Sequence, residues 1–219
     1  LPLKEEFQID VENLSQYFND DSIKLIFICS PNNPTGNTIN NNDIEFILNN
    51  FNGIVVLDEA YIDFSKSESL INLIRKYNNL IVSQTFSKAW GLASARVGIA
   101  YANEEIIRFY NKVKPPYNVS GVNQKHFFLS KSNTVNTILE EKERVIQEIS
   151  QIEVVQEIYP SDSNFLLVKV NNGNMLYDEL LARKIITRNR HSQVPNCLRI
   201  CIGTPEENNE LIKTLQQLK

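Results

Sequence analysis

Three short apolar runs, at residues 24–29, 54–57 and 80–82, restrict this chain more than any other feature. Runs of this length with few polar interruptions read as strands buried on both faces, the pattern of a parallel sheet. Between the first two, residues 40–51 place Ile44, Ile47, Leu48 and Phe51 on one helical face. Strand, helix, strand in that order is a βαβ unit, which closes with a right-handed crossover. The rhythm continues with a helix expected over 68–76, a fourth strand over 97–101, and a helix from Asn103 to about Val113. Ahead of all this, apolar spacing over 9–18 predicts a short helix capped by Asp10. The expectation is an α/β fold with a mostly parallel sheet.

Pro115 and Pro116 interrupt the chain after the 103–113 helix. Two prolines stop a helix and stiffen a connection, so a boundary is expected there. Residues 1–118 then form the larger α/β domain and 119–219 a smaller α+β domain. In the second, a long polar stretch over 122–149 reads as one helix or two. It is followed by a strand at 164–170, a helix at 175–183, strands at 184–188 and 198–202, and a helix over 206–218.

Composition removes several function classes. The 22 basic residues are outnumbered by 26 acidic ones, for a net charge of -4, so a nucleic-acid footprint is not expected. The longest apolar runs are of strand length, too short for a membrane span. No secretory signal is visible, and a cytoplasmic protein is expected. The chain opens Leu-Pro-Leu-Lys without an initiator methionine and in mid-pattern, so a fragment is expected. Cys29, Cys197 and Cys201 lie in apolar runs and read as buried thiols in a reducing compartment. Their spacing gives no metal site, and His126 and His191 stand alone, so no metal is expected.

The ends of the strands carry the chemistry. The first run ends in Ser30-Pro31-Asn32-Asn33-Pro34-Thr35-Gly36-Asn37, a stiff turn that holds Asn33 in place. The second delivers Asp58-Glu59-Ala60-Tyr61, and the third runs into Thr85-Phe86-Ser87-Lys88, with Arg96 eight residues on. In α/β sheets, ligands bind at the carboxyl ends of strands. Two hydroxyls and a guanidinium, Thr85, Ser87 and Arg96, make a phosphate site, because arginine offers a rigid fork of donors. A lysine beside a phosphate site suits covalent attachment of a phosphorylated aldehyde. Pyridoxal 5'-phosphate has a use for each group. Lys88 would attach the aldehyde and later move a proton, and Asp58 would face the pyridine nitrogen and keep it protonated. Asn33 and Tyr61 would hydrogen-bond the ring's phenolate oxygen. Lys88, Asp58 and Tyr61 are therefore the expected catalytic residues.

These motifs, in this order, resemble fold-type-I aminotransferases, and most of all their histidinol-phosphate branch. The segment Cys197-Leu198-Arg199-Ile200-Cys201-Ile202-Gly203-Thr204-Pro205-Glu206 is similar to that family's closing motif. The resemblance implies that Arg199 binds the substrate's anionic group and that Arg188 lies near the substrate phosphate. It further implies transamination between histidinol phosphate or imidazole-acetol phosphate and glutamate or 2-oxoglutarate, in histidine biosynthesis, by a homodimer. Family members are longer at the N-terminus, and that region supplies further cofactor contacts and a tyrosine to the partner's site. The alternatives are an aromatic aminotransferase, a threonine-phosphate decarboxylase relative, or a non-catalytic regulatory domain of the same fold.

Overall fold

A computed structural model of the chain describes residues 1–129 and 134–218, with side chains described to residue 125 in the first stretch. Its Cα packing forms two units. The first holds Leu1–Asn32 and Thr38–Ser132; the second holds Asn33–Asn37 and Asn133–Lys219. The prolines expected at the boundary thus fall inside the first unit, and the asparagine turn groups with the second.

In the first unit, α1 (Val11–Ser15) starts where Asp10 accepts a hydrogen bond from the Asn13 amide. Strand β1 (Leu25–Cys29) leads through α2 (Asn41–Asn50) to β2 (Ile54–Asp58), and β3 (Leu80–Thr85) follows. The three strands lie parallel in the order β1-β2-β3, in a register that sets Cys29 beside Asp58 and Asp58 beside Ser83. β4 (Gly98–Ala102) joins the far edge antiparallel to β3, so the sheet is mixed and mostly parallel. The link between them is turned back on itself, with the Phe86 amide donating to the Val97 carbonyl, and it contains no crossover helix that could bring β4 in parallel. One face of this sheet packs on α2. Ile44, Ile47 and Leu48 meet Ile28, Val55, Leu57, Leu80 and Val82 in a single buried cluster.

The opposite face differs from the expectation of strands covered on both sides. Along β1 exposure alternates, and Leu25 is 49% and Phe27 69% exposed. Cys29 shares that face and is exposed too, as is Cys201 at the end of the last strand, while Cys197 alone is a buried thiol. The 68–76 stretch is a 3₁₀ helix, Leu70–Arg75, whose Ser69 cap accepts from the Ile71 amide. It is followed, after β4, by α3 (Glu104–Val113), capped by Asn103 as expected.

α4 (Gly121–Leu129) closes the first unit. The helical stretch expected over 122–149 is described as α4 and α5 (Thr134–Ile149); residues 130–133 lie outside the described residues, as does the side chain of His126. The second unit continues with β5 (Val155–Ile158), β6 (Phe165–Val170), α6 (Gly173–Ala182), β7 (Arg188–Asn189), β8 (Cys197–Cys201) and α7 (Pro205–Gln217). Its sheet is antiparallel in the order β5-β6-β8-β7. The strand expected over 184–188 shrinks to two residues. Lys184 takes a positive φ of 65°, and the Ile185 amide bonds back to Leu180, so the chain is still leaving α6 there. Val145, Ile149, Leu166, Val168, Leu180, Leu198, Ile200, Leu211 and Leu215 form the second core. No helix among the described residues is long and apolar enough to cross a membrane, and no group of three or more His, Cys, Asp or Glu among them could hold a metal ion.

Candidate active site

In the first unit the candidate residues gather at the carboxyl ends of β2 and β3. Asp58 ends β2. Its Oδ1 accepts from the Ala60 amide at 3.1 Å and lies 3.5 Å from the Ser83 hydroxyl on the neighbouring strand. Among the described residues, no hydrogen bond is made to its Oδ2. One carboxylate oxygen is thus fixed by the turn, and the other is open to a further donor. Alternation along the strand turns the next residue the other way. Glu59 is 2% exposed and accepts from the Ser69 hydroxyl at 2.6 Å, the Leu70 amide at 2.8 Å and the Gln84 side chain at 2.9 Å. A buried carboxylate needs such a set of donors to remain charged without penalty. Glu59 therefore ties the Asp58 turn to β3 and to the 3₁₀ helix that starts at Leu70. Sequence reasoning passed over it; an acid set between apolar Leu57 and the Ala60-Tyr61 pair was the available signal.

Beyond β3 the chain coils tightly. The Ser87 amide donates to the Thr85 hydroxyl oxygen at 3.1 Å, the Gly91 amide to the Lys88 carbonyl at 3.0 Å, and the Leu92 amide to the Phe86 carbonyl at 2.9 Å. Gly91 supports this turn with a φ of +65°, where a side chain would be strained. Lys88 is carried on the turn, and its ammonium sits 5.3 Å from the centre of the Tyr61 ring, which is 8% exposed. A cation over a ring face is held without being neutralised. Among the described residues Lys88 has no carboxylate partner. Pairing of Thr85 with Gly98 brings the end of β3 alongside the segment that carries Arg96. Arg96 itself takes a left-handed conformation, φ 53° and ψ 44°, and donates to the Ala93 carbonyl at 3.0 Å, with no acidic partner among the described residues. Non-glycine residues seldom take that conformation.

The donor set fits a phosphorylated aldehyde. An amine and a guanidinium with no acidic partner among the described residues share one loop with two hydroxyls, and a carboxylate on the neighbouring strand has one oxygen to spare. Lys88 and Tyr61 are in contact, Asp58 lies on the strand beside the one that runs into Lys88, and Thr85, Ser87 and Arg96 share one loop.

Asn33, Arg188 and Arg199 belong to the second unit. The Asn33 turn is held there by Gly36, whose carbonyl accepts from the Asp162 amide at 2.7 Å and from the Ser163 hydroxyl at 3.4 Å. Gly36 has a φ of +88°, and a Cβ on it would come within 2.7 Å of the Ser161 hydroxyl oxygen, so only glycine fits. Arg199 on β8 donates from Nη1 to Asn33 Oδ1 at 2.7 Å, and its guanidinium lies 5.0 Å from the Phe165 ring centre. Its Nε is buried with no hydrogen-bond partner among the described residues. Arg188 stands directly opposite on β7.

Known proteins resemble the chain over nearly its whole length. Residues 1–215 match the family described as aminotransferase class I and II. A histidinol-phosphate aminotransferase of Flavobacterium psychrophilum is 44% identical over 223 residues, covering 99% of this chain and 64% of that protein. The chain therefore spans about 64% of the length of the curated relatives it matches. Among solved structures, the histidinol-phosphate aminotransferase from Clostridium acetobutylicum superposes with a TM-score of 0.88 at 24% identity, covering 99% of this chain and 69% of that one. The Sinorhizobium meliloti histidinol-phosphate aminotransferase in complex with pyridoxal-5'-phosphate does so with a TM-score of 0.84 at 21% identity, covering 99% and 63%. Both share the fold.

Proposed function

The chain belongs to the class I and II aminotransferases, and from that premise we propose that it serves transamination with pyridoxal 5'-phosphate, taking histidinol phosphate or imidazole-acetol phosphate on one side and glutamate or 2-oxoglutarate on the other. The observation that carries the reading is Lys88, a lysine with no acidic partner among the described residues, held over the Tyr61 ring beyond the end of a strand that lies beside the one ending in Asp58. When bound, the cofactor supplies an electron sink for the bonding pair of the substrate's Cα–H bond.

The chain's own residues divide the remaining work. Lys88 would supply the amine that holds the cofactor's aldehyde, and the same amine would take and return the proton at the substrate's alpha carbon. Asp58, anchored through Oδ1, would face the pyridine nitrogen and keep it protonated by charge. Tyr61 and Asn33 would each be a donor suited to the phenolate oxygen. Thr85, Ser87 and Arg96 would hold the phosphate. Arg199 and Arg188 bind the anionic end of the substrate, by charge-assisted bonds of about 1.5–3 kcal/mol each.

All three cysteines are free thiols, which supports a reducing setting and hence the cytoplasm as part of the proposal. The homodimer rests on the family resemblance.

Kinetics on the protein isolated from its own cells test the substrate. Arg199→Ala should lower kcat/KM about ten- to hundredfold in both half-reactions, because both substrates carry an anion to that fork. Arg188→Ala should harm histidinol phosphate more than glutamate. A wild-type preference for phenylalanine, or no effect of Arg188→Ala, would instead favour an aromatic aminotransferase.

A further inference from the structure

The β7–β8 ladder carries a third arginine that the reading above does not use. Beyond β7 the ladder continues for one more rung, where the Arg190 amide donates to the Cys197 carbonyl at 2.9 Å. Residues two apart on a strand point to the same face, and directly opposed residues of an antiparallel pair share a face. Arg188 and Arg190 are two apart, and Arg199 is opposite Arg188. All three guanidiniums therefore lie on one face of the ladder. The other face is turned to the core through Leu198 and Ile200.

Three like charges so close oppose one another. Opposed like charges on a strand pair are destabilising, and no carboxylate among the described residues is paired with any of the three. Burial, and then the charges of Arg199 and Arg188, push Arg190 below the usual arginine range. Two of the forks also have unspent donors in buried positions: Nε of Arg190 and Nε of Arg199 have no hydrogen-bond partner among the described residues. What partners Arg190 does have are weak ones, with Nη1 reaching the Gln193 side-chain oxygen at 3.3 Å. A face with three cations, two idle buried donors and no counter-charge among the described residues is suited to a ligand that brings several acceptor oxygens and more than one negative charge. A carboxylate offers two oxygens and one charge; a phosphate monoester offers three oxygens and nearly two charges.

We infer that Arg190 completes, with Arg188 and Arg199, a three-arginine site for a phosphate monoester dianion, and that it sets the preference for a phosphorylated substrate over one with only a carboxylate. This rests on the transamination reading for the identity of the ligand but not for the existence of the anion site. The residue does not touch reacting atoms. Its effect belongs to binding of the phosphorylated substrate and not to handling of the proton at the alpha carbon.

The test is titration of inorganic phosphate and of acetate by calorimetry, in an Arg96→Gln background that disables the candidate cofactor-phosphate cluster. Arg190→Gln should weaken phosphate binding about tenfold and change acetate binding less than about twofold. Unchanged phosphate affinity in that variant overturns the proposal. If far-UV dichroism shows Arg190→Gln unfolded, Arg190→Lys takes its place. It keeps the charge but loses the fork, so phosphate should bind about threefold more weakly, and an unchanged affinity again overturns the proposal. In kinetics, the same substitution should raise KM for histidinol phosphate while leaving kcat and the glutamate half-reaction near wild type; a fall in kcat alone contradicts the assignment. The two readings fail separately. Arg190-dependent phosphate binding in a protein that does not transaminate histidinol phosphate would support the anion site and remove the proposed substrate.

Discussion

Asp58 is where a single atom separates a structural from a chemical role. Asparagine keeps an oxygen for the Ala60 amide, so the turn should survive the change. It cannot hold a pyridinium proton by charge. Asp58→Asn should therefore leave the unfolding midpoint nearly unchanged and lower transamination by at least about a hundredfold. Turnover close to wild type would reduce Asp58 to a turn residue. Its neighbour shows what sequence does not display. Asp58 was legible because it ended an apolar run, whereas the three donors that hold Glu59 come from residues ten to twenty-five positions away. Arg190 was missed for a related reason: it shares a face with Arg188 and Arg199 only through the β7–β8 ladder, and a ladder is a matter of register. The cysteines were misjudged because apolar runs were taken to be covered on both sides, and Cys29 lies on the face that α2 does not cover.

Among the elements, β1, β2 and β3 were visible as apolar runs, and the caps Asp10 and Asn103 were visible as residue types. β5 was not, since Val155-Gln156-Glu157-Ile158 is half polar and lies at a sheet edge. The direction of β4 was not legible either, because it depends on how the 86–97 link turns. α5 and α7 offer a test at this scale. Glu141 on α5 accepts from Arg144 on the same helix and from the Asn208 side chain on α7 at 2.8 Å. The Arg144 hydrogen bond first, then that from Asn208, lowers the Glu141 carboxyl below its ordinary range. A lowered carboxyl adds stability that is complete above the ordinary glutamate pKa and is lost as pH falls through the lowered folded value. Glu141→Gln should thus be less stable than wild type at pH 7 in urea unfolding, and the difference should shrink as pH falls below the ordinary glutamate range. A difference that stays constant across that range would show that the charge contributes nothing.

At the scale of the molecule, the chain is two units with separate cores, and the candidate residues are shared out between them. The α/β class and the mostly parallel sheet could be read from periodicity alone. The division could not: α4 groups with the first unit beyond the prolines, and the Asn33 turn groups with the second, through contacts of Gly36 with residues 161–163 that no local pattern encodes. The account as a whole depends on one amine. The protein isolated from its own cells, saturated with pyridoxal 5'-phosphate, should be reduced with borohydride, digested and mapped by mass spectrometry. The account predicts a phosphopyridoxyl group on Lys88. A label on Lys112 or Lys114 instead, or no label on any lysine, would contradict it.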